Sequence, residues 1–244
     1  MIDGQLVYFV TFADSSLKLT LQRIKAEAQR MNLFDGIFTY DETLLDDEFR
    51  NRNRQWFVQH RRGYGLWIWK PQVILQTLRQ IPDNAVIVYA DAGCTLNSEA
   101  SERLKQYVRM VKQHPSHRLI FHSRFWREDQ FTTEYVLQTM NFTGPAERGS
   151  RQCYATSFLL QKTDDNIELI NKWSLLMQED KRMVEGGQHL RQCYAGFKDH
   201  RHDQSILSIL MKQSQSLILE DEISFDDRRH VAPNYPIQST RLKY

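Results

Sequence analysis

The run Ala85, Val86, Ile87, Val88, Tyr89, Ala90 is short, continuously apolar and rich in β-branched residues, and it stops at Asp91, Ala92, Gly93. A run of this length predicts a strand buried on both faces, hence a sheet with helices packed on either side. Ligands of open sheets of this kind collect at the carboxyl ends of the strands. A carboxylate at such an end can hold a ribose hydroxyl, or a divalent metal on a diphosphate. It can also do no more than end the strand and cap a turn.

The flanking segments agree with that architecture. Residues 6–12 are β-branched and aromatic and predict a first strand, closed by Asp14, Ser15 and Ser16 as capping oxygens for a helix. Leu17, Leu21, Ile24, Ala28 and Met31 give that helix one apolar face, and residues 34–40 predict the next strand. Strand, helix and strand in this order begin a parallel sheet. An arginine-rich stretch then runs to Arg62 and is broken at Gly63 and Gly65. Pro71 suits the first turn of a helix that buries Val73, Ile74, Leu78 and Ile81.

In the second half, Leu104, Val108 and Val111 mark a helix, 119–122 a short strand, and 125–140 a partly helical stretch. Residues 154–161 predict another strand. Asp164 or Asp165 is expected to cap a helix bearing Leu169, Ile170, Trp173 and Leu176, and Asp203 to open one bearing Ile206, Leu207, Ile209 and Leu210. The tail from residue 225 onward is polar and basic and is expected to wrap over the surface.

Composition narrows the function classes. The 32 basic and 30 acidic residues leave a formal charge of +2, which argues against nucleic acid as the main partner. Arg50, Arg52, Arg54, Arg61 and Arg62 crowd one stretch, as a solvated face or as an attraction for phosphates or an anionic membrane surface. Cys94, Cys153 and Cys193 form no CxxC pair, so zinc and redox dithiols are not suggested and reduced thiols are expected. The sequon at Asn141 is then incidental. No apolar run approaches the roughly 18 residues of a membrane span, and no secretory leader is read at the start. The expected location is cytoplasmic.

Four stretches carry a resemblance. Arg62-Gly63-Tyr64-Gly65-Leu66-Trp67-Ile68-Trp69-Lys70-Pro71, followed by Tyr89-Ala90-Asp91-Ala92-Gly93-Cys94, resembles bacterial glycosyltransferases of the GT-A fold from capsule, O-antigen and exopolysaccharide pathways. The later His200-Arg201-His202-Asp203-Gln204-Ser205-Ile206-Leu207-Ser208 is similar to that group's C-terminal element, and Val10-Thr11-Phe12-Ala13-Asp14 more loosely to its first strand. The resemblance implies an α/β fold, GT-A-like and Rossmann-type, with a mostly parallel central sheet flanked by helices. It is expected as a single domain over 1–244, with a nucleotide-sugar-binding half at 1–97 and an acceptor-binding half and tail at 98–244.

It also implies a hexosyltransferase that moves a sugar from a nucleoside-diphosphate donor, a uridine one, to a saccharide acceptor in surface polysaccharide biosynthesis. A lipid-linked acceptor would place the enzyme peripherally at the inner face of the membrane. Thr11, Phe12, Lys70, Asp91, Ala92 and Gly93 are its candidate donor residues, and Trp67, Trp69, His202 and Gln204 its sugar or acceptor pocket. In such enzymes an Asp-x-Asp motif ends the central strand and holds the metal, Mn²⁺ or Mg²⁺. Here the first Asp is Asp91 and the second position is Gly93, so either Asp91 holds a metal with another ligand such as His230, or side chains neutralise the diphosphate alone.

A transfer with inversion needs a carboxylate to accept the proton of the attacking hydroxyl, and Asp203 is the candidate base. Taken alone, Asp203 is equally an N-cap, Lys70 a surface lysine, and one of the alternating Trp67 and Trp69 a core residue. Two other classes compete: a non-catalytic sugar-nucleotide or glycan-binding module in which Gly93 marks a lost metal site, and a phosphate-ester hydrolase of another α/β fold using Asp91.

Overall fold

The structure is a computed structural model that describes residues 1–186, 195–224 and 235–243. Six strands form the main sheet: β1 (Val7–Phe12), β2 (Gly36–Tyr40), β3 (Val86–Ala90), β5 (Arg118–Arg127), β6 (Arg151–Gln161) and β7 (Leu217–Leu219). Their order across the sheet is β2-β1-β3-β6-β5-β7. β1 runs parallel to β2 and β3, and β5 parallel to β7, while β6 is antiparallel to both of its neighbours. A separate pair joins β4 (Thr95–Leu96) to β8 (Ile237–Gln238). The sheet is the mostly parallel, helix-flanked one expected from the sequence. It also runs through both halves of the chain, because β6 inserts beside β3.

Period-two alternation divides the core between the two faces of this sheet. Val86, Val88 and Ala90 of β3 meet Ile24, Ala28 and Met31 of the Lys18–Met31 helix, with Leu104, Val108 and Val111 of the Ser101–Gln113 helix. Ile87 and Tyr89 face the other way, toward the Lys70–Leu78, Asp164–Glu179 and Asp203–Gln213 helices. All five residues of β3 are buried, and each aliphatic side chain so covered contributes about 1.5–3 kcal/mol. Asp91 continues the alternation onto the Tyr89 face, and its backbone N–H still donates to Thr156.

Several local expectations are refined. Thr163, not Asp164 or Asp165, caps its helix, its hydroxyl accepting from the Asn166 N–H, and the two aspartates lie in the first turn where the helix dipole favours them. The arginine-rich stretch folds into two short helices, Asp47–Arg52 and Arg54–Gln59, with Arg50 paired to Asp47 and Arg52 to Glu48. The end of the tail does not merely wrap the surface: β8 pairs with the chain just beyond Asp91 and buries Ile237. Cys94 and Cys153 are buried and free, and burial pushes the Cys153 thiol up to about 12; Cys193 lies outside the described residues.

Candidate functional site

Two helices begin at the carboxyl tip of β3. Lys70 is the first residue of one and Asp203 the first of the other, and Asp91 leaves the strand between them. The Lys70 Nζ lies 2.7 Å from Asp203 Oδ2 and 3.1 Å from Asp91 Oδ1, and it donates to the Ala155 carbonyl at 3.1 Å. The contact with Ala155 is a hydrogen bond, and the two carboxylates are ion-pair partners of the ammonium. Tyr89 also donates its hydroxyl to Asp91 Oδ1 at 2.7 Å. That leaves Asp91 Oδ2 without a partner among the described residues, on a side chain 29% exposed, whereas Lys70 is 2% exposed and Asp203 6%.

The electrostatics follow from this geometry. Burial alone would depress the Lys70 ammonium, but Asp203 and Asp91 together outweigh it and hold the pKa above the usual lysine value. Burial also dominates at Asp203, lifting its carboxyl to about 6 although Lys70 pulls the other way. A lysine opening a helix is disfavoured by the helix dipole, so its place is explained by the two carboxylates. The aspartate opening the facing helix is favoured by the same dipole. Lys70 is therefore no surface lysine. Its charge lies between the two acids and holds them together.

The glycine-broken segment ahead of Lys70 is a left-handed turn. Gly63, Tyr64, Gly65, Leu66 and Trp67 all have positive φ, from 47° to 81°. Glycine is required at residue 65, where a Cβ would sit 2.5 Å from the Phe57 ring. The non-glycine members cost roughly 1–2 kcal/mol each in this conformation. The turn separates the two tryptophans. Trp69 enters the core, stacked on Phe12 at 3.9 Å, with its N–H donated to the Gly63 carbonyl at 2.9 Å. Trp67 stays half-buried, its ring 5.7 Å from that of His202.

The His200–Gln204 stretch is tied from beneath. His202 donates Nδ1–H to the Val184 carbonyl at 2.7 Å, and His200 donates Nε2–H to that of Met183 at 2.9 Å. Burial is the main cause that lowers both imidazoles, His200 to about 3, so both are neutral at pH 7. With Nδ1 protonated, Nε2 of His202 is a hydrogen-bond acceptor, buried and without a partner among the described residues. His202 itself has φ 50° and ψ −119°, a sparsely populated conformation of the sort found at functional sites. Gln204 receives the Ala155 N–H at 3.4 Å and donates to Gln152 at 2.7 Å, which fixes its amide inside the fold.

Beyond Asp91 the chain turns through Ala92, Gly93 and Cys94. Arg23 clamps this turn, donating to the Ala92 and Cys94 carbonyls at 2.8 Å each. The Gly93 carbonyl accepts from the Leu242 N–H at 3.0 Å and the Thr240 hydroxyl at 3.1 Å. Neither Arg23 nor this tail contact was identified in the sequence, because a lone arginine and a polar tail carry no pattern. A divalent cation would find one uncommitted oxygen on Asp91 and no donor side chain at Gly93. Among the described residues, no group of three or more His, Cys, Asp or Glu side chains able to hold a metal occurs. His230 lies outside the described residues.

Thr11 and Phe12, at the end of β1, are both buried. Phe12 lies between Trp69 and Tyr64, and the Thr11 hydroxyl has no partner among the described residues. The structure thus brings together Lys70, Asp91 and Asp203, and beside them Trp67, His202 and Gln204, while Phe12 and Trp69 belong to the core on which that group rests.

No family model matches the chain, and no curated protein matches it. Among solved structures it is similar to the galactosyltransferase LgtC in complex with donor and acceptor sugar analogs, at 13% identity over 95% of this chain and 86% of that one, with a TM-score of 0.49. It is similar to mouse xyloside xylosyltransferase 1 at 12% identity, over 96% and 97% of the two chains, TM-score 0.45. A glycosyltransferase involved in glycosylation of the major capsid of PBCV-1 matches at 10% identity over 80% and 81%, TM-score 0.45. Likenesses this distant do not assign the chain to a family.

Proposed function

We propose that this chain is a glycosyltransferase that moves a sugar from a nucleoside-diphosphate donor, a uridine one, to a saccharide acceptor. The observation that carries the reading is the buried Lys70 ammonium joining Asp91, at the tip of the central strand, to Asp203, at the head of a facing helix. The free oxygen of Asp91 suits a ribose or sugar hydroxyl. Trp67 offers a half-exposed aromatic face to sugar C–H surfaces.

Asp203 is the proposed base. With its carboxyl held at about 6 it is ionised at pH 7, yet basic enough to take a proton from the attacking hydroxyl as the anomeric bond breaks. Lys70 positions both acids. A second reading makes Asp91 the base, because it is the more exposed of the two carboxylates. The bacterial surface-polysaccharide pathway, the lipid-linked acceptor and a peripheral place at the membrane belong to this proposal as well, as does the division of labour between residues 1–97 and 98–244. The support for them is the motif resemblance. Among the described residues, no helix is long and apolar enough to cross a membrane.

The test is a donor screen that measures nucleotide release from a panel of sugar nucleotides, with and without Mn²⁺ or Mg²⁺. Release from one uridine-diphosphate sugar, stimulated by a saccharide acceptor, is the expected result. Binding without turnover by any acceptor would favour the glycan-binding module, and preferential cleavage of simple phosphate esters the hydrolase.

A further inference from the structure

The helix that carries Asp203 at its head is buried from Asp203 to Met211, yet one side of it is polar. Gln204, Ser208 and Lys212 follow one another at four-residue spacing, one above the other, with Ser205 beside them. Apolar packing has no direction, so it holds a helix against a sheet without fixing where along its axis the helix sits. Hydrogen bonds do have direction, and a buried polar group without one is costly. Ser208 and Lys212 meet on one carboxylate, and Gln204 reaches the same carboxylate through a single side chain.

That carboxylate is Glu128, which is fully buried. Its Oε1 accepts the Ser208 hydroxyl and, at 2.7 Å, the Lys212 ammonium, which also donates to the Ser150 hydroxyl at 2.8 Å. Its Oε2 accepts the Thr132 hydroxyl at 2.8 Å and the Gln152 amide at 3.2 Å. The far end of the Gln152 side chain, Oε1, accepts from Gln204 Nε2 at 2.7 Å. The Ser208 oxygen in turn accepts the Cys153 N–H of β6 at 2.7 Å. A well-packed apolar set is often as stable as a buried ion pair of this kind, so stability alone does not account for the cluster.

A carboxylate only accepts hydrogen bonds, and this sets the direction of the whole relay. Gln152 must turn its NH₂ to Glu128 and its oxygen to Gln204. Gln204 must then turn its own NH₂ to Gln152, which leaves its oxygen for the Ala155 N–H at 3.4 Å. The carbonyl of the same Ala155 accepts from Lys70 at 3.1 Å. Glu128 therefore reaches the site by two routes. One is the relay to Gln204, and the other is the register of the helix that Asp203 opens.

We propose that Glu128 is a positioning residue for sugar transfer, setting the axial place of the Asp203 helix and the orientation of the Gln204 amide without touching substrate. This rests on the reading of Asp203 as the base and of the cleft as a sugar-nucleotide site. A helix is stiff along its axis, so a slide where Ser208 and Lys212 are anchored carries Asp203 with it. A displacement of about 1 Å at the reacting groups costs about 100-fold in rate. The cluster has a purpose in these terms: it gives a buried helix one place to sit, and so gives its first residue one distance from the attacking hydroxyl.

The experiment measures initial rates and melting curves of the full chain, with the donor and acceptor identified in the screen. The main variant is Glu128→Gln with Lys212→Met, which removes both buried charges together and should melt close to the parent. Its kcat is expected to fall about tenfold or more, with the donor KM within about threefold of the parental value. Gln152→Met cuts the relay and leaves the ion pair in place, so it decides the matter even where the double variant does not fold. Its kcat is expected to fall about threefold or more, again with KM kept. Ile206→Val trims a buried side chain on the apolar side of the same helix, and should lower the melting temperature with kcat unchanged. Parental kcat in either of the first two variants, once folded, would overturn the proposal and leave the sugar-nucleotide reading intact. So would a rise in KM alone, or a loss of kcat in Ile206→Val as large as theirs. If the parent transfers sugar from no donor, the reading of the cleft fails and the proposal falls with it.

Discussion

Lys70 and Asp203 each open a helix, and the ammonium of one lies 2.7 Å from the carboxylate of the other, beneath the tip of the central strand. The contact locks two helices and one strand end into a single charged unit. Buried pairs of this kind are weak sources of net stability, but breaking one leaves an uncompensated charge.

Removing the lysine is therefore expected to be costly. Lys70→Met leaves Asp91 and Asp203 facing each other without their shared cation, and the loss should be about 3–5 kcal/mol at pH 7. Denaturant unfolding measures it. Adding Asp203→Asn to Lys70→Met is expected to recover part of the loss, and strictly additive effects would show that the two side chains do not interact.

The pH dependence has a definite sign. Asp203 titrates at about 6 in the folded chain, against an ordinary aspartate value of 3.8, so between those values the folded state binds more protons than the unfolded one. This group's contribution to stability therefore falls as pH rises from about 4 to 6, by up to about 3 kcal/mol. Activity runs the opposite way, since the base must be ionised: kcat/KM should fall on the acid side with a midpoint near 6, and Asp203→Asn should abolish that limb. An acid limb that persists in Asp203→Asn would move the base to Asp91.

The two tryptophans should separate in their effects. Trp69→Ala removes the stack on Phe12 and the bond to Gly63, and is expected to destabilise by about 3–5 kcal/mol. Trp67→Ala removes a half-buried ring and should mainly raise KM, with a much smaller fall in melting temperature. Thermal melts beside initial-rate kinetics decide it.

Gly93→Asp restores the Asp-x-Asp pattern. Its Cβ would meet Arg241 at ordinary contact distance, 3.5 Å, so the chain should still fold. The variant is expected to gain a melting-temperature increase with Mn²⁺ that the parent lacks, through the added carboxylate.

The strand-helix-strand opening, the buried central strand and the helix beginning at Asp203 were legible because their apolar periods are clear. Asp91 and Asp203 were legible because strand tips and helix starts are where chemistry collects. The role of Lys70 was not: nothing in its neighbours says that a residue ahead of Pro71 will be buried between two acids distant in sequence. The cap at Thr163 was hidden because the adjacent Asp164 and Asp165 suit the same position. Trp67 and Trp69 alternate, which separates them but does not say which is core, and the choice was made by the left-handed turn at residues 63–67. Contacts between Arg23, the tail and the Asp91–Cys94 turn depend on folding alone.

The account stands most directly on the transfer rate of Asp91→Asn. This variant keeps the acceptor oxygen used by Tyr89 and Lys70, so its melting curve should stay close to the parent's. Its kcat/KM for the sugar-nucleotide donor identified in the screen is expected to fall by about 100-fold or more. Sugar transfer by Asp91→Asn at the parental rate would contradict the claim that the tip of the central strand is where this protein does its chemistry.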